Sequence, residues 1–262
     1  MRRIRMIIEY DGTQYVGWQT QPNGLAIQEV IEKELFRITG QRPSLQASGR
    51  TDSGVHAAAQ VAHFDTACRI PGDKFAYALN AGLPRDIRIR YSEECPGDFH
   101  SRFCAKQKHY RYTLQLGPHA RVFSRNYSLH IHSQLNWSAM EAAAAAVTGT
   151  HDFVAFKSAN SQMENTTRTV FYSRWTQEGE LCYYDVVGNG FLYNMVRILV
   201  GTMLDIGKGI LPEQSMALAL CTGIRNHAGA TAPAHGLCLM GVSYPGFDTD
   251  TILKAQSAPG IE

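Results

Sequence analysis

The chain has 262 residues, of which 44% are hydrophobic and 18% charged, and its formal net charge is +2. This length allows one large or two ordinary domains with a substantial core, while so small a charge does not by itself indicate a nucleic-acid partner. The longest apolar run, residues 191–206, falls short of the roughly 20 residues that a membrane-spanning helix needs, and no apolar signal-peptide block follows residues 1–3. We therefore expect a cytoplasmic protein without a membrane anchor.

Six segments in the first part of the chain alternate between strand and helix patterns. Strand segments show apolar residues at every second position, and helix segments show an apolar stripe with a period near 3.6. The order strand, helix, strand, strand, helix, strand is that of a ferredoxin-like domain. The segments cover residues 3–10, 26–39, 44–48, 60–65, 71–82 and 87–91.

The second part of the chain repeats this arrangement loosely, after a Pro-Gly turn at residues 96–97 that marks a boundary. Its predicted strands are 106–116, 166–177, 181–187 and 239–244, and its predicted helices run from Asn136 or Ser138 to 147, from 191 to 206 and from 212 to 220. We expect an α+β fold in which two ferredoxin-like halves, residues 1–104 and 105–245, join into one extended mixed sheet with a central catalytic cleft. Residues 246–262 would form a tail.

The six cysteines indicate neither disulfide bonds nor a zinc site. They form no C-x-x-C pair, and none stands at metal-ligand spacing from a histidine. Several adjoin apolar residues, as buried free thiols do, which favours a reducing compartment. The cysteines are Cys68, Cys95, Cys104, Cys182, Cys221 and Cys238, and the histidines that likewise fail to converge are His56, His63, His109 and His235. The sequence therefore predicts no metal site.

Residues 49–56 read GRTDSGVH and form the most informative loop of the chain. Glycines at both sides of Asp52 let a bulky ligand approach the main chain, and Arg50 is a permanent cation that can grip a phosphate or stack on a base. A carboxylate in such a loop can act as an acceptor, a base or a nucleophile. An ordinary tight turn with an internally bonded Asp52 explains the same spacing equally well.

A single arginine interrupts the apolar helix predicted at residues 191–206. The charged residues of this helix are Arg197 and Asp205, which lie about 12 Å apart along its axis and cannot pair. A buried arginine needs a carboxylate partner or a route to solvent, because an unpaired buried ion costs several kcal/mol. Asp52 and Asp185 are candidate partners, and the residues alone do not decide between them.

Five segments, in order along nearly the whole chain, resemble the tRNA pseudouridine synthase A family. They read YDGTQYVGWQTQ at 10–21, GRTDSGVH at 49–56, KQKHYRY at 106–112, FLYNMVR at 191–197 with VG at 200–201, and APAHGL at 232–237. The resemblance implies isomerisation of uridine to pseudouridine at positions 38, 39 and 40 of the tRNA anticodon stem-loop. It also implies a homodimer, with no cofactor.

The same resemblance gives roles to individual residues. It makes Asp52 the catalytic group, with Arg197 paired to it. Arg50 would fill the space of a flipped nucleotide or hold its phosphate, and Tyr110 would stack on the target base. Leu237 would form a hydrophobic lid over the uracil. Without the family, Tyr110 is more often a core residue with a bonded hydroxyl, and Leu237 is plain core.

Two other function classes fit parts of the sequence. A non-catalytic RNA-binding protein would use the ferredoxin-like sheet as RRM modules do, but no central strand carries the glycine and aromatic run typical of them. An aspartate-based metal nuclease would gather several acids around two metals, whereas this loop contains Asp52 and the next acid is Asp65.

Overall fold

The computed structural model describes residues 1–158 and 163–257. Over these residues the fold is α+β with one mixed sheet, as the sequence predicts. The sheet has eleven strands, and six α-helices accompany it. The strands are β1 (Arg2–Tyr10), β2 (Gln46–Ala47), β3 (His56–Thr66), β4 (Ile87–Cys95), β5 (Gln107–Leu116), β6 (Leu129–Ile131), β7 (Gly149–Asp152), β8 (Thr167–Glu178), β9 (Leu181–Gly188), β10 (Leu237–Tyr244) and β11 (Phe247–Asp248). The helices are α1 (Ile27–Thr39), α2 (Phe75–Asn80), α3 (Trp137–Ala146), α4 (Met195–Gly207), α5 (Ser215–Thr222) and α6 (Thr249–Ser257).

The chain divides into two compact units. Unit 1 comprises residues 1–106 together with those from Cys238 onward, and unit 2 comprises residues 107–237. Strand β10 thus groups mainly with unit 1, whereas the sequence analysis assigned residues up to 245 to the second half. The physical reason is that β10 pairs in parallel with β3, a long-range choice that the alternation of apolar residues does not encode.

Unit 1 contains the predicted order β1, α1, β2, β3, α2, β4. Strand β1 lies between β3 and β4 and is antiparallel to both. The other edge of β3 is shared by two partners. Strand β2 pairs near the end of β3, with Gln46 opposite His63, and β10 pairs near its start, with Cys238 opposite His56. The loop at 49–55 therefore emerges beside the first residues of β10.

Residues 246–257, treated as part of a tail in the sequence analysis, belong to regular elements of unit 1. Gly246 adopts a left-handed conformation with φ of 70° and turns the chain back. Strand β11 then pairs with β10, with Phe247 opposite Tyr244, and α6 follows. The last five residues, 258–262, lie outside the described part of the chain.

Unit 2 is built on the antiparallel strands β5, β9, β8 and β7, in that order, with β6 parallel to β5. Asn136 caps α3 by accepting a hydrogen bond from the Ala139 N–H at 3.1 Å; this settles the choice between Asn136 and Ser138. The helix predicted from residue 191 begins at Met195, because Asn194 is left-handed with φ of 62°. Pro212 likewise precedes α5, which begins at Ser215.

Candidate active site

The loop that carries Asp52 is a tight turn between β2 and β3. The Asp52 carbonyl accepts a hydrogen bond from the Val55 N–H at 3.1 Å. Gly54 uses the conformational freedom expected of it, with φ of 76°, while Gly49 is not among the residues with positive φ. Thr51 and Val55 are buried and Asp52 is half-buried. The turn therefore buries its flanks and keeps the Asp52 side chain partly accessible.

Gln60, fully buried in β3, fixes the start of this loop. Its Oε1 accepts a hydrogen bond from the Ser48 hydroxyl at 2.6 Å, and its Nε2 donates to the Gly49 carbonyl at 2.9 Å. Two residues further on, the Thr51 hydroxyl shares a hydrogen bond of 2.7 Å with the buried hydroxyl of Tyr10. Two buried side chains thus hold the backbone on the N-terminal side of Asp52.

The signature segment at 10–21 packs its backbone directly against the Asp52 loop. Trp18 N–H donates to the Thr51 carbonyl at 3.1 Å, and the Tyr15 carbonyl accepts from Gly54 N–H at 3.3 Å. Gly17 has φ of 107°, and a Cβ added there would lie 2.6 Å from the Thr51 oxygen. Only glycine fits this position, because any side chain would push the two loops apart.

His56 links the same two segments at the end of the Asp52 loop. Its Nδ1 accepts a hydrogen bond from the Gly12 N–H at 3.0 Å and lies 3.1 Å from Oδ1 of Asp11. His56 is buried, so this histidine has a structural role in positioning the loop. The residues of the described ranges contain no group of three or more histidine, cysteine or acidic side chains suited to a metal ion.

Tyr110, in unit 2, is buried on the face of β5 that it shares with Tyr112 and Leu114. Its ring meets that of Phe191 edge-on, with centroids 5.3 Å apart and an interplanar angle of 88°. Tyr112 is tied to the loop after α5 by its hydroxyl, which donates to the Pro233 carbonyl at 2.8 Å. The face of the sheet that carries Tyr110 is therefore ordered by aromatic packing.

Asp185, an alternative partner for Arg197, is occupied by other groups. It accepts two hydrogen bonds of 2.9 Å from Arg111 and shares one of 2.6 Å with His109. Burial raises the pKa of the Asp185 carboxyl, but the hydrogen bonds from His109 and Arg111 outweigh it and hold that pKa below its usual range. Asp185 is thus an ionised, structural member of unit 2.

Arg197 lies in the first turn of α4 and is half-buried, not fully buried as the apolar pattern suggested. Its Nε donates to the Ala232 carbonyl at 2.7 Å, and one terminal nitrogen donates to Oδ1 of Asn194 at 3.0 Å. Asp205 accepts a hydrogen bond from Ala230 N–H at 3.2 Å. The guanidinium is therefore oriented by neighbours within unit 2, while its pairing with Asp52 stays a prediction.

Asn194 and Gln60 are site residues that the sequence analysis missed. Asn194 is the single non-glycine residue with positive φ in the described ranges, and such a conformation at a functional segment is a reason to suspect a role. Its side chain holds Arg197. A signal was present for both: asparagine is the side chain that best tolerates this conformation, and Gln60 is an amide within the largely apolar β3.

The loop at 229–237 is fastened along α4. Gly229 N–H donates to the Thr202 hydroxyl at 2.9 Å, and Ala232 N–H donates to the Arg197 carbonyl at 3.0 Å. Gly201 allows this approach, because a Cβ there would overlap the Ala230 carbonyl. The glycine of the helix motif is thus explained by close contact between a helix and a loop.

Two predicted substrate-binding residues differ in exposure. Leu237 is 5% exposed and immediately precedes Cys238, which lies opposite His56 at the end of the Asp52 loop. Arg50 is exposed, two residues before Asp52. Their roles in binding the base and a phosphate stay predictions.

No helix within the described ranges is long and apolar enough to cross a bilayer.

Comparisons with known proteins agree on one family. A family model described as tRNA pseudouridine synthase matches residues 6–104 and 143–245. The tRNA pseudouridine synthase A of Ruminiclostridium cellulolyticum is 46% identical over 245 residues, covering 93% of this chain and 100% of the relative. That of Geobacter sulfurreducens is 47% identical with the same coverage, and that of Halalkalibacterium halodurans is 44% identical over 90% of each chain.

Among solved structures, a chain of a Cbf5-Nop10-Gar1 complex aligns over 77% of this chain and 45% of its own length, at 14% identity and a TM-score of 0.37. A TM-score of 0.37 is too low to establish a common fold. The family is shown by the relatives, which match this chain over nearly their full lengths. This chain belongs to the tRNA pseudouridine synthase family.

Proposed function

We infer that this protein isomerises uridine to pseudouridine in tRNA, with Asp52 as the catalytic group. Membership of the tRNA pseudouridine synthase family supports the reaction and the substrate. The observation that carries the role of Asp52 is the loop itself. Buried Gln60 and Tyr10 hold the backbone before the carboxylate, and the 10–21 segment packs against it, yet the side chain stays partly accessible.

The reaction requires only one well-placed carboxylate. The bond from ribose C1′ to uracil N1 breaks, the base turns, and C5 bonds to C1′. C5 then loses its proton and N1 gains one, so the reaction involves no net change in electrons or water. Asp52 could attack C1′, attack the base, or remove a ribose proton to form a glycal, and these routes stay open. Because the target nucleotide is stacked in an RNA helix, it must be flipped out before Asp52 can reach it.

The surrounding residues receive roles on the same basis. Exposed Arg50 holds a phosphate or fills the space that the flipped nucleotide leaves. Tyr110 and Leu237 contact the base on its two faces. Arg197 pairs with Asp52 and keeps it ionised; the fixed direction of its guanidinium, with Ala232 and Asn194 as neighbours, supports a positioning function.

The finer expectations concern targets and assembly. We propose that the targets are uridines 38, 39 and 40 of the anticodon stem-loop, in keeping with the name of the curated relatives. We also propose that the protein acts in the cytoplasm as a homodimer, without a metal or a cofactor.

The test is a mapping of pseudouridine in a tRNA transcript incubated with the pure protein in EDTA. The transcript carries uridine at positions 38–40, and a matched control carries cytidine there. We expect modification at these positions in the first transcript and none in the second. Modification only elsewhere would overturn the proposed targets, and none in either transcript, with or without added metal, would overturn the proposed activity.

A further inference from the structure

A rigid turn at residues 100–104, which we call the Phe103 turn, presents an aromatic ring to solvent. Phe103 is 75% exposed, although Ser101 beside it is fully buried. The Ser101 carbonyl accepts a hydrogen bond from the Tyr244 hydroxyl at 2.7 Å, and its hydroxyl shares one of 2.9 Å with Nδ1 of His63. Cys104 N–H closes the turn on the His100 carbonyl at 2.9 Å. The exposure of Phe103 is therefore built into an ordered backbone.

His100 supports the exposed ring from within the turn. Its Nδ1 accepts hydrogen bonds from the N–H groups of Arg102 at 3.1 Å and Phe103 at 3.4 Å. The His100 and Phe103 rings pack with centroids 4.3 Å apart. Burial lowers the pKa of His100, and the charges of Arg3 and Arg102 lower it further, so Nδ1 stays an acceptor at neutral pH.

Arg102 is the cation next to Phe103, and Lys106 follows three residues later in the same unit. The Arg102 guanidinium lies 5.7 Å from the centre of the Phe103 ring, and it is exposed. Within the described ranges, no carboxylate lies at ion-pair distance from Arg102. Its charge is thus available to a phosphate.

An exposed ring on a fixed backbone beside a cation has the chemistry of a nucleotide-stacking site. Every base offers a π-face to an aromatic side chain, and the cation contacts the phosphate that accompanies the base. A second copy of this chain or another protein would be better matched by apolar neighbours, whereas the Phe103 ring lies beside the exposed guanidinium of Arg102. Charge complementarity favours RNA.

We propose that Phe103 and Arg102 bind one unpaired nucleotide of the tRNA substrate, apart from the uridine that reacts, with its base on Phe103 and its phosphate on Arg102. This proposal rests on the proposed function, because it takes tRNA as the ligand. It adds a substrate contact that does not touch the reacting atoms.

The test measures tRNA affinity by fluorescence anisotropy for Phe103→Ala, Phe103→Leu and Phe103→Tyr. Tyr77→Ala is the matched control: Tyr77 is 73% exposed with the Lys74 ammonium 5.4 Å from its ring, but Lys74 pairs with Asp73 at 3.0 Å. We expect about five- to hundredfold weaker binding for Ala and Leu, the range given by stacking one base, and near-normal binding for Tyr and for the control.

Kinetics supply the second measurement. At saturating tRNA, kcat of Phe103→Ala should equal that of the wild type while KM rises, because the lost contact is equal in the ground and transition states. Affinity unchanged in Phe103→Ala, or lowered equally in Tyr77→Ala, would overturn the proposal. So would an altered sedimentation coefficient of Phe103→Ala without RNA, which would assign the ring to self-association.

Failure of the two proposals can be told apart, because binding is measured without turnover. A wild type that binds tRNA through Phe103 but forms no pseudouridine would refute the proposed function and support this site.

Discussion

Replacing Gln60 with methionine tests whether buried hydrogen bonds hold the Asp52 loop in its working geometry. Methionine has nearly the length of glutamine but no strong polar atoms. The Ser48 hydroxyl would lose its 2.6 Å acceptor, and the Gly49 carbonyl its 2.9 Å donor. Each buried polar group left unsatisfied costs about 1–3 kcal/mol.

The lower part of that range applies to both groups. Ser48 retains a hydrogen bond with Tyr244, and the half-exposed Gly49 can be hydrated. We therefore expect Gln60→Met to lower the free energy of unfolding by about 2–3 kcal/mol. Displacement of the loop should also lower kcat by about 10- to 100-fold, because small misplacements of reacting groups are costly.

The assay combines urea unfolding with pseudouridine formation at a temperature where each variant is folded. Gln115→Met in unit 2 is the matched control. Gln115 is equally buried and makes hydrogen bonds with the main chain at Leu116, His119 and Arg121. That variant should lose similar stability but keep its kcat. Full activity of Gln60→Met, or equal loss of kcat in both variants, would show that these hydrogen bonds do not position Asp52.

Three further predictions concern Arg197, Gly201 and His63. Arg197→Lys should lower kcat by about 10- to 100-fold, which corresponds to the loss of one charged hydrogen bond of ~1.5–3 kcal/mol, because an ammonium cannot reproduce the guanidinium fork. Arg197→Met should lower activity more than it lowers stability. Equal losses of activity and stability would show that Arg197 is structural. Gly201→Ala should destabilise the protein by about 1–3 kcal/mol, because its Cβ overlaps the Ala230 carbonyl; unchanged urea unfolding would contradict this. Burial, with the charge of Arg3, lowers the pKa of His63 to about 4. Between pH 6.5 and 4 the unfolded state therefore binds a proton at His63 more readily than the folded state does. As the pH falls through this window, the free energy of unfolding should decrease by on the order of 2 kcal/mol after allowance for solvent screening. His63→Asn should flatten that slope, which urea titrations at several pH values would measure.

Local patterns predicted most elements because each records which face of a segment is buried. The alternation in β1 and the stripe of α1 are such patterns. The predicted start of α4 was too early because apolar residues continue back to Phe191. The left-handed Asn194, directly before the first residue of the helix, does not alter the spacing of apolar residues. The pairing of β10 with β3 could not be predicted for a different reason. The two strands are far apart in the sequence, and their pairing depends on the whole fold.

The sequence predicted those candidate site residues whose chemistry is unusual within their own segment. Asp52 in its glycine-containing loop was recognisable, and so was the unusual charge of Arg197 on an apolar helix. The residues that hold Asp52 and Arg197 in position were not recognisable from the sequence. Gln60 and Tyr10 act through contacts between segments far apart in the chain, and the half-exposure of Arg197 depends on the loop at 229–237.

Asp52 is proposed to perform the chemistry and not merely to bind tRNA. The most direct measurement is single-turnover pseudouridine formation by Asp52→Asn, with enzyme in excess over a tRNA transcript, alongside its tRNA affinity. We expect no detectable product and an affinity within a few-fold of the wild type, because the substitution removes no phosphate contact. Product formation at the wild-type rate would show that Asp52 is not the catalytic group.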